Sequence, residues 1–104
     1  MTTTDRVRNH LMAAADLRGV TQGTTARHLN MGKSTLNRAL RHEGTTYLAL
    51  LDAERKARTE ALLSRNRHAD TAAVCRVTGY GPASISRAIQ RWFGATLPQC
   101  REAL

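Results

Sequence analysis

The chain is 104 residues long, which at roughly 100–200 residues per domain predicts one folding unit with little room for a cofactor pocket. Sixteen basic residues less eight acidic ones give a net charge of +8 with histidine neutral, and fourteen of the sixteen are Arg, the cation suited to bidentate recognition of phosphates and base edges. With 41% hydrophobic residues, no apolar run long enough to cross a membrane, no secretory leader and only Cys75 and Cys100, the composition excludes a disordered tail, a membrane span and a disulfide-stapled secreted scaffold. A cytoplasmic protein with a polyanionic partner is the expectation.

In chain order, Thr4 is the expected cap of a first helix, with Asp5 in its opening turn, Val7, Leu11, Ala14 and Ala15 as its apolar stripe, and Gly19 as its end. A short second helix is expected from Gln22 to Asn30 with Thr21 as cap, and Ala26 and Leu29 facing inward. Met31-Gly32 reads as a turn. A third helix covers Lys33 to His42, buries Leu36, Ala39 and Leu40, and stops at Gly44. A long helix follows from Thr46 to Ser64, with Leu50, Ala53, Ala57 and Ala61 as one stripe, reinforced by Leu51, Leu62 and Leu63. After the polar connection Arg65–His68, Asp70 or Thr71 opens a helix with Val74, Cys75 and Val77 inward. Gly79-Tyr80-Gly81-Pro82 is a turn, and a helix from Ala83 to Phe93 carries Ile85, Ile89 and Phe93. Gly94 ends it, and Pro98 marks a last helix.

Strand signals are nearly absent, so the fold is all-α with about seven helices: two helix-turn-helix subdomains joined by a long connecting helix. The boundaries are about 5–45, 46–64 and 65–104, within one module spanning 1–104. The two halves repeat. Ala26 and Leu29, a glycine turn, then Leu36, Arg38 and Leu40 are echoed by Val74 and Cys75, a glycine turn, then Ile85, Arg87 and Ile89. Leu36 and Ile85 stand 49 residues apart.

A helix-turn-helix presents polar side chains of its second helix to a DNA major groove about 12 Å wide. In the first unit those side chains are Lys33, Ser34, Thr35, Asn37, Arg38 and Arg41. Asn pairs with adenine, Arg with guanine, and Ser or Thr with a base or a phosphate. In the second unit they are Ser84 and Arg87, with Arg91 placed for phosphate. Two such helices suit successive major grooves about 34 Å apart.

Ala26 to Gly44 resembles the first helix-turn-helix of the AraC/XylS transcriptional regulators. Thr45 to Leu63, with Tyr47, Leu50, Leu51, Arg55, Leu62 and Leu63, is similar to that family's connecting helix. Gly79-Tyr80 and then Ser86 through Pro98, followed by Arg101, resemble its C-terminal motif. The resemblance covers about residues 5–104 and implies an all-α module contacting promoter DNA through both recognition helices. Departures are specific. Seven positions separate Tyr80 from Arg87 where the family usually has eight, and Ile85 and Ile89 stand where phenylalanines are usual. Ala83 replaces a polar residue, Gly32 stands where Ser usually caps, and Glu54 and Arg58 fall where apolar residues are common. These favour base readout by the first unit and backbone binding by the second. Most family members also carry a ligand-sensing domain; none is expected within these 104 residues, which read either as a stand-alone short regulator or as an excised DNA-binding domain.

Other chemistries find little support. Gly32-Lys33-Ser34-Thr35 resembles the end of a phosphate-binding loop, but Arg27 occupies the position of its first glycine and no strand precedes it. His10, His28, His42, His68 and the two cysteines lack metal-ligand spacing, so no metal and no cofactor is expected. Cys75 reads as a small core residue, and Trp92 and Phe93 as helix anchors. No catalytic constellation appears, so the chain is not read as an enzyme. The expected function is sequence-specific double-stranded DNA binding and transcription regulation by a monomer, with RNA polymerase as a further partner and no membrane. The alternative is a protein-interaction module that binds a transcription partner with only weak DNA contact.

Overall fold

The computed structural model describes residues 1–103; Leu104, the end of the module read from the sequence, lies outside the described residues. Among the described residues there are seven helices and no strand, the all-α class expected. They are α1 (Thr3–Ala13), α2 (Gln22–His28), α3 (Lys33–His42), α4 (Tyr47–Arg65), α5 (Thr71–Thr78), α6 (Pro82–Phe93) and α7 (Leu97–Ala103). They form two compact units, Met1–Glu54 and Arg55–Leu104, with the division falling inside α4.

In the first unit α1 begins earlier than expected. Thr2, not Thr4, is the cap: its hydroxyl accepts from the Asp5 N–H at 3.0 Å, and the Asp5 carboxylate accepts from the Thr2 N–H at 3.3 Å. This reciprocal box satisfies two of the otherwise unpaired N–H groups of the first turn. The helix also ends early, at Ala13 rather than Gly19. The Asp16 carboxylate takes the Arg18 N–H at 2.9 Å and the Arg18 guanidinium at 2.7 Å, a local closure that competes with a helical ladder. Ala14 is half-buried and Ala15 exposed, so the α1 stripe is Val7 and Leu11.

The first core gathers Val7, Leu11, Leu17, Ala26, Leu29, Leu36, Leu40, Tyr47, Leu50 and Leu51. Each large aliphatic side chain buried there contributes roughly 1.5–3 kcal/mol. Thr25 is fully buried, and its hydroxyl lies 2.9 Å from the Tyr47 hydroxyl, so the two polar groups satisfy each other. The second core gathers Leu63, Ala69, Val74, Ile85, Ala88, Ile89 and Leu97, with Tyr80, Trp92, Phe93, Cys75 and Cys100 packed against it. Both cysteines are free and half-buried, and Cys75 fills the role of a small core residue.

The buried face of α4 differs from the expected one. Ala53, Ala57 and Ala61 are exposed, and the buried positions are Tyr47, Leu50, Leu51, Thr59 and Leu63. Between them the same face carries Glu54, Arg55 and Arg58, all half-buried. Alanine exerts little pull toward a core, whereas the aliphatic stems of long charged residues cover apolar surface while their heads find polar partners. Hydrophobicity alone therefore selects Leu50, Leu51 and Leu63 correctly but misplaces the three alanines between and beside them. Similarly, α5 buries Val74 and Thr78, with Cys75 and Val77 only half-buried. The Thr78 hydroxyl is accommodated by donating to the Val74 carbonyl at 2.8 Å.

Candidate nucleic-acid interface

In the first unit, Thr21 caps α2 through the Thr24 N–H at 3.1 Å, and the Thr24 hydroxyl accepts from the Thr21 N–H at 2.9 Å. The helix stops at His28 rather than Asn30, because Asn30 turns left-handed at φ 58°. Asn is one of the few side chains that tolerate that region. The turn closes with the Met31 N–H donating to the Ala26 carbonyl at 2.8 Å. Gly32 then starts α3 with no side-chain cap.

α3 buries Leu36 and Leu40 and turns Lys33, Ser34, Thr35, Arg38 and Arg41 to solvent. Asn37 is half-buried at the edge of that face, and the Gln22 side-chain amide donates to its Oδ1. α6 buries Ile85, Ala88 and Ile89 and exposes Ser84, Arg87 and Arg91. The Arg91 guanidinium lies 5.8 Å from the centroid of the Trp92 ring. Ser86 and Gln90 share the exposed face and were not anticipated from the sequence.

The repeat is more regular than the sequence comparison suggested. Thr21 and Asp70, the caps of α2 and α5, stand 49 residues apart, as do Gly32 and Gly81, the uncapped starts of α3 and α6. Asn30 and Gly79 (φ 80°) are the equivalent left-handed residues. Thr25 matches Val74, and Leu29 matches Thr78, rather than Ala26 and Leu29 matching Val74 and Cys75. Arg27 and Arg76 are equivalent exposed cations on α2 and α5. A fixed offset of 49, applied to every position, locates Gln90 opposite Arg41 and Ser86 opposite Asn37.

The same offset relates two arginines that do structural work. Arg6 donates to the Leu29 carbonyl at 3.0 Å, and Arg55 to the Thr78 carbonyl at 2.9 Å. Each guanidinium meets the C-terminal end of the helix before the turn, where carbonyls lack intrahelical donors and the helix dipole favours a cation. Arg55 also stacks on Tyr80, 4.1 Å from the ring centroid. Arg101 donates to the Ala69 carbonyl, and Arg67 to the Arg101 carbonyl at 3.3 Å.

The electrostatics are one-sided. No acidic residue occurs between Leu17 and His42, or between Thr71 and Arg101, so both helix-turn-helix segments carry cations alone. The His10 and His28 rings stack with centroids 4.4 Å apart, and burial, followed by the neighbouring His28, holds the His10 imidazole below its ordinary range. Among the described residues no group of three or more His, Cys, Asp or Glu side chains could hold a metal ion, and no helix is long and apolar enough to cross a membrane. Gly32-Lys33-Ser34-Thr35 is the start of α3 and follows a helix and a turn, not the strand a phosphate-binding loop requires.

A family profile described as a helix-turn-helix domain matches residues 25–103. Over 81 residues, 77% of this chain, the sequence is 36% identical to the HTH-type transcriptional regulator VqsM of Pseudomonas aeruginosa, and the match spans 25% of that protein. The chain thus covers about a quarter of this curated relative. The fold is similar to the crystal structure of a DNA-binding transcriptional dual regulator from Escherichia coli K-12, with a TM-score of 0.86 and 23% identity over 100% of this chain and 99% of that one. It is similar also to transcriptional regulator CdpR from Pseudomonas aeruginosa, with a TM-score of 0.86 and 31% identity over 96% of this chain and 31% of that one.

Proposed function

This chain belongs to the AraC-type helix-turn-helix family, and from that membership we propose that it binds double-stranded DNA in sequence-specific fashion and thereby regulates transcription. The observation that carries the reading is the pair of exposed helix faces on segments whose sequence holds no acidic residue: Lys33, Ser34, Thr35, Arg38 and Arg41 on α3, and Ser84, Arg87 and Arg91 on α6. Cations at such positions neutralise phosphates, and Arg38 is the side chain for base edges. α3, with Asn37 as well, has the richer set for base readout. α6, opening on Pro82 and Ala83, relies more on the DNA backbone. The action proposed is binding, with no catalytic step and no cofactor. One chain occupies one site with unequal halves, in the cytoplasm, and the outcome at a promoter follows from contact with RNA polymerase or its exclusion.

The test is selection of bound sites from random duplex DNA, followed by affinities for the selected and a scrambled duplex. Arg38→Ala is expected to lose discrimination at one or two base pairs, by about 1–3 kcal/mol for a bidentate contact. Arg91→Ala is expected to weaken both duplexes about equally. No binding to any duplex at low salt would overturn the reading, and equal losses on both duplexes for Arg38→Ala would remove base readout from that residue.

A further inference from the structure

We infer that a cleft between α1 and the end of α2 binds a small amphipathic carboxylate, an anionic head joined to an apolar body about the size of one ring. This does not rest on α3 reading DNA. The cleft holds about 500 Å³, and Arg6, Asn9, His10 and Ala13 of α1, Ala14, and His28 of α2 line it. That volume is in the range of small-molecule sites, which pair apolar walls with a few polar groups. The internal repeat shows where the space comes from. Arg6 and Arg55, 49 residues apart, make the same bond to the carbonyl at the end of the following helix. The same offset sets Ala13 and Ala14 opposite Leu62 and Leu63, His10 opposite Thr59, and His28 opposite Val77. In the second unit Thr59 and Leu63 are buried and Leu62 and Val77 half-buried, so packed side chains occupy these positions. In the first unit alanines stand in place of the leucines, and imidazoles in place of Thr59 and Val77.

The lining selects the ligand. Arg6 spends one donor on the Leu29 carbonyl at 3.0 Å, and a guanidinium has five. The Asn9 amide donates to the Met1 thioether at 3.6 Å, a weak acceptor that a carboxylate oxygen displaces. The His10 and His28 rings stack with centroids 4.4 Å apart, and burial, then His28, holds the His10 imidazole below its ordinary range. Among the described residues, Arg6, His10 and His28 are the titratable side chains that line the cleft, and no carboxylate lines it. An anion supplies the counter-charge that the fold leaves out. The apolar wall of Ala13, Ala14 and Leu29 separates an amphipathic acid from a phosphate, free or in DNA, which has no body to cover it and leaves that surface wet.

The experiment titrates the full chain with phenylacetate and follows the imidazole Cε1–H signals by NMR. His42 and His68, which are exposed and do not line the cleft, are internal controls. The probes for comparison are 2-phenylethanol, which has the body without the charge, and acetate and inorganic phosphate, which have charge without the body. Phenylacetate should shift His10 and His28 alone, with a Kd of about 1 mM, as a ligand of about ten non-hydrogen atoms allows, and the other probes should bind at least about tenfold more weakly. It should also raise the midpoint of the His10 titration, because an anion favours the imidazolium. Two variants borrow from the second unit, each checked for helical content. Ala13→Leu should fill the cleft and abolish binding, and His28→Val should bring phenylacetate down to the level of the alcohol. Equal binding of acetate or phosphate would make the cleft a simple anion site and overturn the inference. So would equal binding of the alcohol, binding that survives Ala13→Leu, or His10 and His28 signals that do not move.

Discussion

Glu43, one residue past α3, reaches back to the start of α1. Its carboxylate accepts from the Thr4 hydroxyl at 2.6 Å, the Thr4 N–H at 2.8 Å and the Thr3 N–H at 3.2 Å. These are N–H groups of a helix first turn, which favours a negative charge. The Thr4 hydroxyl, then the Thr4 N–H, hold the Glu43 carboxyl below its usual range. A carboxyl lowered in the fold binds fewer protons there than in the unfolded chain, so its contribution is present above the ordinary value near 4.5 and is lost as pH falls through the lowered value. Glu43→Gln is therefore expected to melt below the wild type at neutral pH, with the gap closing as pH falls below about 4.5. Thermal unfolding across pH checks this. A gap that stays constant into acid would mean that the charge of Glu43 contributes nothing. His10 acts in the same direction from its ordinary value of 6.5 downward, but it is common to both proteins and cancels from the difference.

Each unit holds the helix before its turn by an arginine from a preceding element, Arg6 on α1 for α2 and Arg55 on α4 for α5. Arg55 combines a charge-assisted hydrogen bond with stacking on Tyr80 in the turn that leads into α6. Arg55→Ala is expected to lower stability by about 2 kcal/mol, and Arg55→Lys to recover little, because an ammonium cannot stack flat on the ring while donating sideways to a carbonyl. Urea unfolding followed by Trp92, which packs in the second core, reads this directly; full rescue by Lys would reduce Arg55 to a point charge. The elements themselves were largely legible. α3 occupies Lys33–His42 as read from the sequence, since Gly32, the Leu36/Leu40 pair and Gly44 leave little choice. The face of α4 was legible at Leu50, Leu51 and Leu63 but not between them, because half-buried Arg55 and Arg58 look like solvated charges and exposed Ala53, Ala57 and Ala61 look like core. On the reading helix the exposed set followed from spacing to Leu36 and Leu40, but the Gln22–Asn37 bond did not: residues fifteen apart on different helices meet only once the turn at Asn30 is formed.

For the whole molecule, the cations behind the net charge of +8 include some with internal duties and some exposed on the helix-turn-helix elements. Arg6, Arg55, Arg67 and Arg101 donate to backbone carbonyls, and Arg18 pairs with Asp16 at 2.7 Å. Exposed on the helix-turn-helix elements are Arg27, Lys33, Arg38 and Arg41 in the first unit and Arg76, Arg87 and Arg91 in the second. Binding to duplex DNA should release about one counterion for each phosphate these groups neutralise, so the logarithm of affinity should fall against the logarithm of salt concentration with a slope of roughly −5 to −7. The division of labour makes a stronger claim than the slope alone. Removing Arg87 and Arg91 together should lower its magnitude by about 2, whereas Arg18→Ala removes the same kind of charge from an internal pair and should leave it unchanged. If all three substitutions lowered the slope in proportion to charge removed, the protein would be acting as an undifferentiated polycation, and the assignment of α6 to the DNA backbone would be lost. If only the Arg87 and Arg91 pair matters, the excess charge is focused by the repeat. The offset of 49 that relates the starts of α2 and α3 to those of α5 and α6 also pairs Arg38 with Arg87, and it sets Arg91 opposite His42.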